Sequence, residues 1–207
     1  MSTPAERRGT AKKALAGFAD AIRYRRMQLY EPASYERPSR LLSRYSAWRG
    51  HEFIIADIIA RFGLKTESCL EFGVEFGYSA VVFSNYFERV VGVDLFTGDR
   101  QAGLHADHFA STAASLSSYP RIRLAQADYR DWIRTDTATY DLIHVDIIHT
   151  YAPTYECGLW SAQHSQCTLF HDTESYPAVK RAVADIARKT NKRFYNFPLY
   201  HGLGIVV

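Results

Sequence analysis

Two short segments hold most of the side chains able to do chemistry. Asp146 and His149 lie three residues apart in DLIHVDIIHTY (141–151), and His171 and Asp172 are neighbours in LFHDT (169–173). Carboxylates beside imidazoles suit proton removal, because histidine titrates near neutral pH. The same set suits a divalent ion, with carboxylate oxygens for Mg2+ and imidazole for softer ions such as Mn2+ or Zn2+. The alternative is that His149 and His171 only hydrogen-bond neighbouring loops. His144, inside an apolar run, reads as a core histidine.

A third segment, EFGVEFGYS (71–79), places Gly73 and Gly77 at a tight turn, where a missing side chain lets a ligand approach the backbone. It is not the dinucleotide fingerprint, because Glu75 and Tyr78 stand where the second and third glycines would be. The phosphate-loop pattern is absent too, and a carboxylate at Glu75 would repel a pyrophosphate. The loop therefore suits a nucleoside without phosphates, or is simply a structural turn. Asp94, 17 residues after Gly77, can accept from the hydroxyls of a ribose. Asp128 can accept from an adenine amine or cap the next helix.

These residues close short apolar runs rich in Val, Ile, Leu and Phe: 68–74, 89–95, 122–128, 140–147 and 167–172, with two more at 193–198 and 202–207. Runs of this kind read as buried parallel strands covered by helices on both faces. Helix patterns fall near 77–87, 100–117, 151–163 and 176–190, the last with Pro177 in its first turn. The alternation predicts an α/β fold with a doubly wound, seven-stranded, mostly parallel sheet, closed by a β-hairpin at one edge. Upstream, Leu15, Phe18, Ile22 and Leu29 predict an amphipathic helix over 10–29, and GHEFIIADIIARF predicts another over 50–62, ended by Gly63. The division expected is a helical extension over 1–49 and one domain over 50–207.

With 207 residues, 47% hydrophobic and 23% charged, the chain is an ordinary globular domain that needs no disulfide or metal staple. No apolar run approaches the roughly 18 residues of a membrane span. The segment MSTPAERRGTAKKALAGF lacks the apolar core of a secretory signal, and Cys69, Cys157 and Cys167 lack metal-site spacing. Buried reduced thiols and a cytoplasmic location are expected. The net charge of +3 does not by itself argue for nucleic acid. It is unevenly spread, however. Residues 1–65 hold 13 Lys/Arg and 6 Asp/Glu, a balance of +7, and the remainder carries −4.

ExGxxxGxS at 71–79, with Asp94 and Asp128 after the next two strands, resembles the class I S-adenosylmethionine-dependent methyltransferases. The likeness covers about residues 50–207, and the closing hairpin is similar to that fold's reversed seventh strand. DLIHVDIIHTY and LFHDT, followed by Pro177-Ala178-Val179-Lys180 and Gly202-Leu203-Gly204, narrow it. They resemble the small-molecule, sugar-type O-methyltransferases of macrolide biosynthesis. Three segments depart from that pattern: Ile147-Ile148 replaces Gly-Asp, His164-Ser165-Gln166 replaces a Pro-Gly-Gly turn, and Ala178 replaces a glycine.

The resemblance implies S-adenosyl-L-methionine as cofactor, contacted by Glu71, Gly73, Gly77, Tyr78, Ser79, Asp94, Leu95, Ala127, Asp128 and Asp146. It implies His149, Asp146 and His171 as catalytic groups, with His149 placed where catechol-type enzymes have their base. Mg2+ or Mn2+ would be held by Asp146, Asp172 and His171, and Thr173 stands where that family has an asparagine ligand. The expected activity is O-methylation of a small-molecule acceptor, a sugar or natural-product intermediate, with neither membrane nor nucleic acid as partner and a homodimer as one assembly. Tyr30, Tyr35, Tyr45 and Trp48 are expected as a lid over the acceptor, with Arg23, Arg25 and Arg26 facing an acidic group on it. His105, His108 and His201 are candidate substrate contacts. The competing readings are an RNA or protein methyltransferase docking through its basic front segment, and a cofactor-binding homologue without chemistry.

Overall fold

The computed structural model describes residues 23–98 and 106–207. Leu15, Phe18 and Ile22 of the helix expected over 10–29 lie outside these residues. Its end departs from expectation, because Met27–Leu29 is a strand, β1. The reason is a partner: β1 pairs in parallel with the strand Phe194–Phe197, whose outer backbone groups would otherwise be unpaired. A 3-10 turn over His51–Ile54 then runs into helix α1 (Ile55–Phe62), ended by Gly63 as expected.

From there strands and helices alternate. They are β2 (Ser68–Phe72), α2 (Tyr78–Phe83), β3 (Arg89–Asp94), α3 (Phe109–Leu116), β4 (Ile122–Gln126) and α4 (Tyr129–Thr135). Then come β5 (Tyr140–Val145), α5 (Tyr151–Gln163), β6 (Ser165–His171), α6 (Pro177–Thr190), β7 (Phe194–Phe197) and β8 (Leu203–Val206). The helix α4 has too few turns to show a period in the sequence, and its start is marked only by Asp128. The sheet has eight strands in the order β1-β7-β8-β6-β5-β2-β3-β4. Only β8 runs against its neighbours β6 and β7. The α/β, doubly wound, mostly parallel fold is thus as expected, with β1 as an eighth strand outside the hairpin. Among the described residues no helix is long and apolar enough to cross a membrane.

The register does the positioning. Phe72 pairs with Val93 on one side and Val145 on the other, and Val145 pairs with Phe170. The next residue of each strand therefore falls in one row: Asp94, Gly73, Asp146, His171. Order reverses between β2 and β5, so this row lies at the switch point, beyond the carboxyl ends of the strands, where such sheets bind ligands.

Alternation along β2 sends Leu70 and Phe72 to the face packed by α5 and α6, and Cys69 to the face packed by α1 and α2. Glu71 follows Cys69 onto that second face and pairs in register with His144. Both are wholly buried, and His144 lies in the core as its sequence context indicated. Trp48 Nε1–H donates to His144 Nε2 at 3.0 Å, which leaves Nδ1 to carry the proton and donate to Glu71 Oε1 at 2.9 Å. Trp48 and Tyr30, expected in a lid, are core residues at 2% and 1% exposure. Tyr35 and Tyr45 are the exposed pair. All three cysteines are free and buried.

Trp48→Phe keeps the ring but strands the buried His144 Nε2. It should lower unfolding stability in urea by about 1–3 kcal/mol, the usual cost of an orphaned buried acceptor.

Candidate active site

The loop after β2 is shaped by Asp94. Its Oδ2 accepts the backbone N–H of Val74 at 2.7 Å and of Glu75 at 2.8 Å, and its Oδ1 accepts from Phe96 at 2.7 Å. Successive N–H groups converge this way because Glu75 and Phe96 adopt left-handed backbone angles, with φ of 51° and 54°. His108 and Thr112 reach the carbonyl of Glu75 from the far side, so His108 buttresses the loop. Arg44 lies 3.4 Å from the ring centre of Phe76, holding the front segment over the loop.

Gly73 carries the closest approach. Its φ is +85°, and a Cβ there would lie 1.7 Å from the carbonyl oxygen of Asp146. The loop after β2 and the end of β5 are pressed together at this glycine.

On the other side of that contact the four residues singled out after β5 and β6 do meet. His149 Nε2 lies 3.2 Å from Asp146 Oδ1 and 2.9 Å from Asp172 Oδ2. His171 Nδ1 lies 3.1 Å from Asp146 Oδ2 and 3.4 Å from Asp172 Oδ2. Asp172 is turned inward by a left-handed φ of 66°. Burial alone would favour neutral groups here, yet charge wins. Burial opposes the Asp146 carboxylate, but His171 and His149 outweigh it and hold the carboxyl well below its usual range. Burial likewise opposes the His149 cation, but Asp146 and Asp172 push its pKa up to about 10. His171 is raised by the same two carboxylates against its own burial. At neutral pH His149 therefore already holds a proton between two carboxylates. This changes the expectation of a free base at His149.

The cluster also has the donor set of an ion site. One ligand atom each from Asp146, His149 and Asp172 lie within 4.8 Å of one another. Buried His149 Nδ1 and both nitrogens of His171 have no aligned hydrogen-bond partner. The histidine in the tightest trio is His149 rather than the expected His171. Thr173 takes no part: its hydroxyl donates to Asn196 Oδ1 at 2.7 Å, in the core.

The remaining expected cofactor residues divide. Glu71 and Ser79 bond each other under the loop, and Glu71 Oε2 is buried without a partner. Burial raises the Glu71 pKa, against His144 and Ser79. Gly77 caps α2 with a left-handed φ of 85°. Tyr78 donates to Glu52 Oε1 at 2.9 Å. Leu95 is half exposed beside Asp94, and Ala127 N–H donates to the Asp94 carbonyl at 2.9 Å. Asp128 caps α4, accepting from Arg130 N–H at 2.8 Å, which is the capping alternative stated above.

Three groups escaped the sequence reading. His51 is wholly buried, with its ring 5.2 Å from that of His171, and burial pulls its pKa down to about 3. Glu52 follows it, and Tyr200 closes over both. No local spacing ties residues 48–52 to strand ends about a hundred positions away, so only the fold could reveal them. Arg23 pairs with Asp185 at 3.3 Å, His201 bonds Ser175 at 2.9 Å, and His105 lies outside the described residues.

A family model described as a methyltransferase domain matches residues 70–173. No curated protein matches the chain. Among solved structures, a candidate caffeoyl-CoA O-methyltransferase from Staphylococcus aureus has a TM-score of 0.55 at 13% identity, covering 80% of this chain and 85% of that one. Fibrillarin from Aeropyrum pernix, solved with natively bound S-adenosyl-L-methionine, gives 0.51 at 14% identity over 83% and 84%. The O-methyltransferase from Bacillus cereus, in complex with SAH, gives 0.50 at 14% over 81% and 84%. At such identities the likeness is one of fold.

Gly73→Ala should force the loop away from Asp146. A stability loss of at least about 1–3 kcal/mol is expected from the strained φ alone, read by urea unfolding, with the backbone clash added to it.

Proposed function

This chain belongs to the methyltransferase-domain family, and on that premise we propose that it is an S-adenosylmethionine-dependent O-methyltransferase of a small hydroxylated molecule, a sugar or natural-product intermediate. The observation that carries the reading is the row Asp94, Gly73, Asp146, His171, which sets a nucleoside-type loop directly against an acid–histidine cluster. Methyl transfer needs that adjacency: the acceptor oxygen must approach the methyl carbon in line with the departing sulfur, and its proton must leave.

Asp94 accepts three backbone N–H bonds, out of roughly four lone-pair sites on a carboxylate. One site remains for a ribose hydroxyl, which supports a sugar held beside the residue that shapes the loop. Leu95, half exposed, flanks it as an apolar wall for the base. Glu71 and Ser79 support the loop from below.

The donor set fits a divalent ion. Asp146 and Asp172 supply hard oxygens, the two histidines supply nitrogens, and the unaligned buried imidazole atoms are left for a partner other than protein. Asp146, Asp172 and His149 would hold it, with His171 beside them. A bound ion would polarise the acceptor hydroxyl as a Lewis acid. The protein groups act in defined ways. Asp146, a quarter exposed, is the most open of the four and orients the hydroxyl toward the loop. His149, protonated between the carboxylates in the ion-free protein, would give up that proton when the ion binds. Residues 23–49, the described part of the front extension, are proposed as the cover of the acceptor side, anchored by Trp48 on His144 and Arg44 on Phe76.

Two measurements check this. Asp94→Ala should weaken S-adenosylhomocysteine binding about ten- to a hundred-fold in calorimetry, the scale of a charged hydrogen bond, and an unchanged affinity would remove Asp94 from the cofactor site. With a panel of hydroxylated acceptors, chelation should abolish methyl transfer and Mg2+ or Mn2+ should restore it. Full activity in chelator would discard the ion.

A further inference from the structure

Between the front segment and the start of α2 lies a cavity of about 390 Å3. Its apolar walls are Leu41, Leu42 and Phe53. Its polar groups are Arg37, Arg49, Glu52 and Tyr78. Each oxygen of the buried Glu52 accepts one hydrogen bond: Oε1 from Tyr78 Oη–H and Oε2 from the backbone N–H of Gly50. Arg49 Nη2 donates only to main-chain carbonyls, of Ser43 at 3.4 Å and Arg44 at 3.1 Å. Arg37 has no hydrogen bond or ion pair among the described residues. The cavity thus holds two guanidinium groups against one carboxylate, a surplus of one positive charge. Both arginines are exposed, so an anion can reach them from solvent, and the planar fork of arginine matches a carboxylate.

Two residues of the cavity wall are chain neighbours of the proposed site. Tyr78 directly follows Gly77 at the end of the loop. Glu52 directly follows His51, whose ring meets that of His171. Resting on the methyltransferase reading, we propose that this cavity is a carboxylate subsite, in which Arg37 and Arg49 receive the carboxylate of a bound small molecule. Two sources can supply that group: the amino-acid tail of the cofactor, and an acidic acceptor.

The full-length protein and its Arg37→Gln, Arg49→Gln and double variants separate the sources by calorimetry. S-adenosylhomocysteine is compared with 5′-methylthioadenosine, which keeps the nucleoside and sulfur but has no carboxylate. If the subsite takes the cofactor tail, the variants lose about ten- to a hundred-fold in affinity for the first ligand and none for the second. If it takes the acceptor, both affinities stay, and the cofactor-loaded wild type binds 3,4-dihydroxybenzoate more tightly than 3,4-dihydroxybenzyl alcohol. The variants then lose that preference by a similar factor. Unchanged cofactor affinity together with no arginine-dependent preference for the acid overturns the subsite. Failure of the wild type to bind either nucleoside overturns the methyltransferase reading itself, and the subsite with it.

Discussion

Everything at the proposed site hangs on the register of four parallel strands. Because Phe72 is level with both Val93 and Val145, and Val145 with Phe170, the residues one step on, Asp94, Gly73, Asp146 and His171, share one row. That row joins a carboxylate that gathers loop amides, a glycine, a second carboxylate and an imidazole. Slipping one strand by a residue would turn its side chains to the opposite face and break the row. The glycine is what lets the row close. With its missing Cβ filled, the loop after β2 could not lie on the carbonyl of Asp146. The nucleoside side and the acid–histidine side are therefore placed by one packing contact.

Below the row, a buried polar chain fixes the floor. Trp48 donates to His144, His144 donates to Glu71, and Ser79 donates to the same Glu71 oxygen. An apolar triple would pack as well, so this chain is not there for stability alone. Its geometry has a consequence: one indole N–H sets the histidine tautomer, and the tautomer sets which atom faces Glu71. The front segment thus reaches the underside of the loop through hydrogen bonds, while Arg44 reaches its upper side through Phe76.

Legibility in the sequence follows the range of the forces involved. The strands were plain because burial on both faces leaves continuous apolar runs, and Asp94, Asp146, His171 and Asp172 were plain because they terminate those runs. Their convergence could be expected from parallel topology alone. What was hidden depended on contacts without a local signature. Met27–Leu29 is a strand only because β7 offers an open edge. Tyr30 and Trp48 look like lid aromatics in a Pro- and Ser-rich stretch, yet they are core residues through partners at Asp57 and His144. Asp128 had two readings at equal range, and the cap is the one formed. His149 was legible as part of the cluster but not as a cation, since its state depends on Asp172, which arrives from another strand.

The division of labour between the two parts of the chain can be argued one step further. The strand ends are constrained by register, by Gly73 and by the carboxylate row, so they have little freedom to suit different acceptors. Beside His171 the strand ends are walled instead by His51, next to Glu52, and by Tyr200 of the closing loop. These meet at Gly50, where a Cβ would lie 2.3 Å from the Tyr200 ring. Front and closing segments are thus locked to each other as well as to the sheet, where Trp48 donates to His144. Under the proposed function, recognition of the acceptor would draw on side chains of these two short segments, and the chemistry on the strand ends of the sheet.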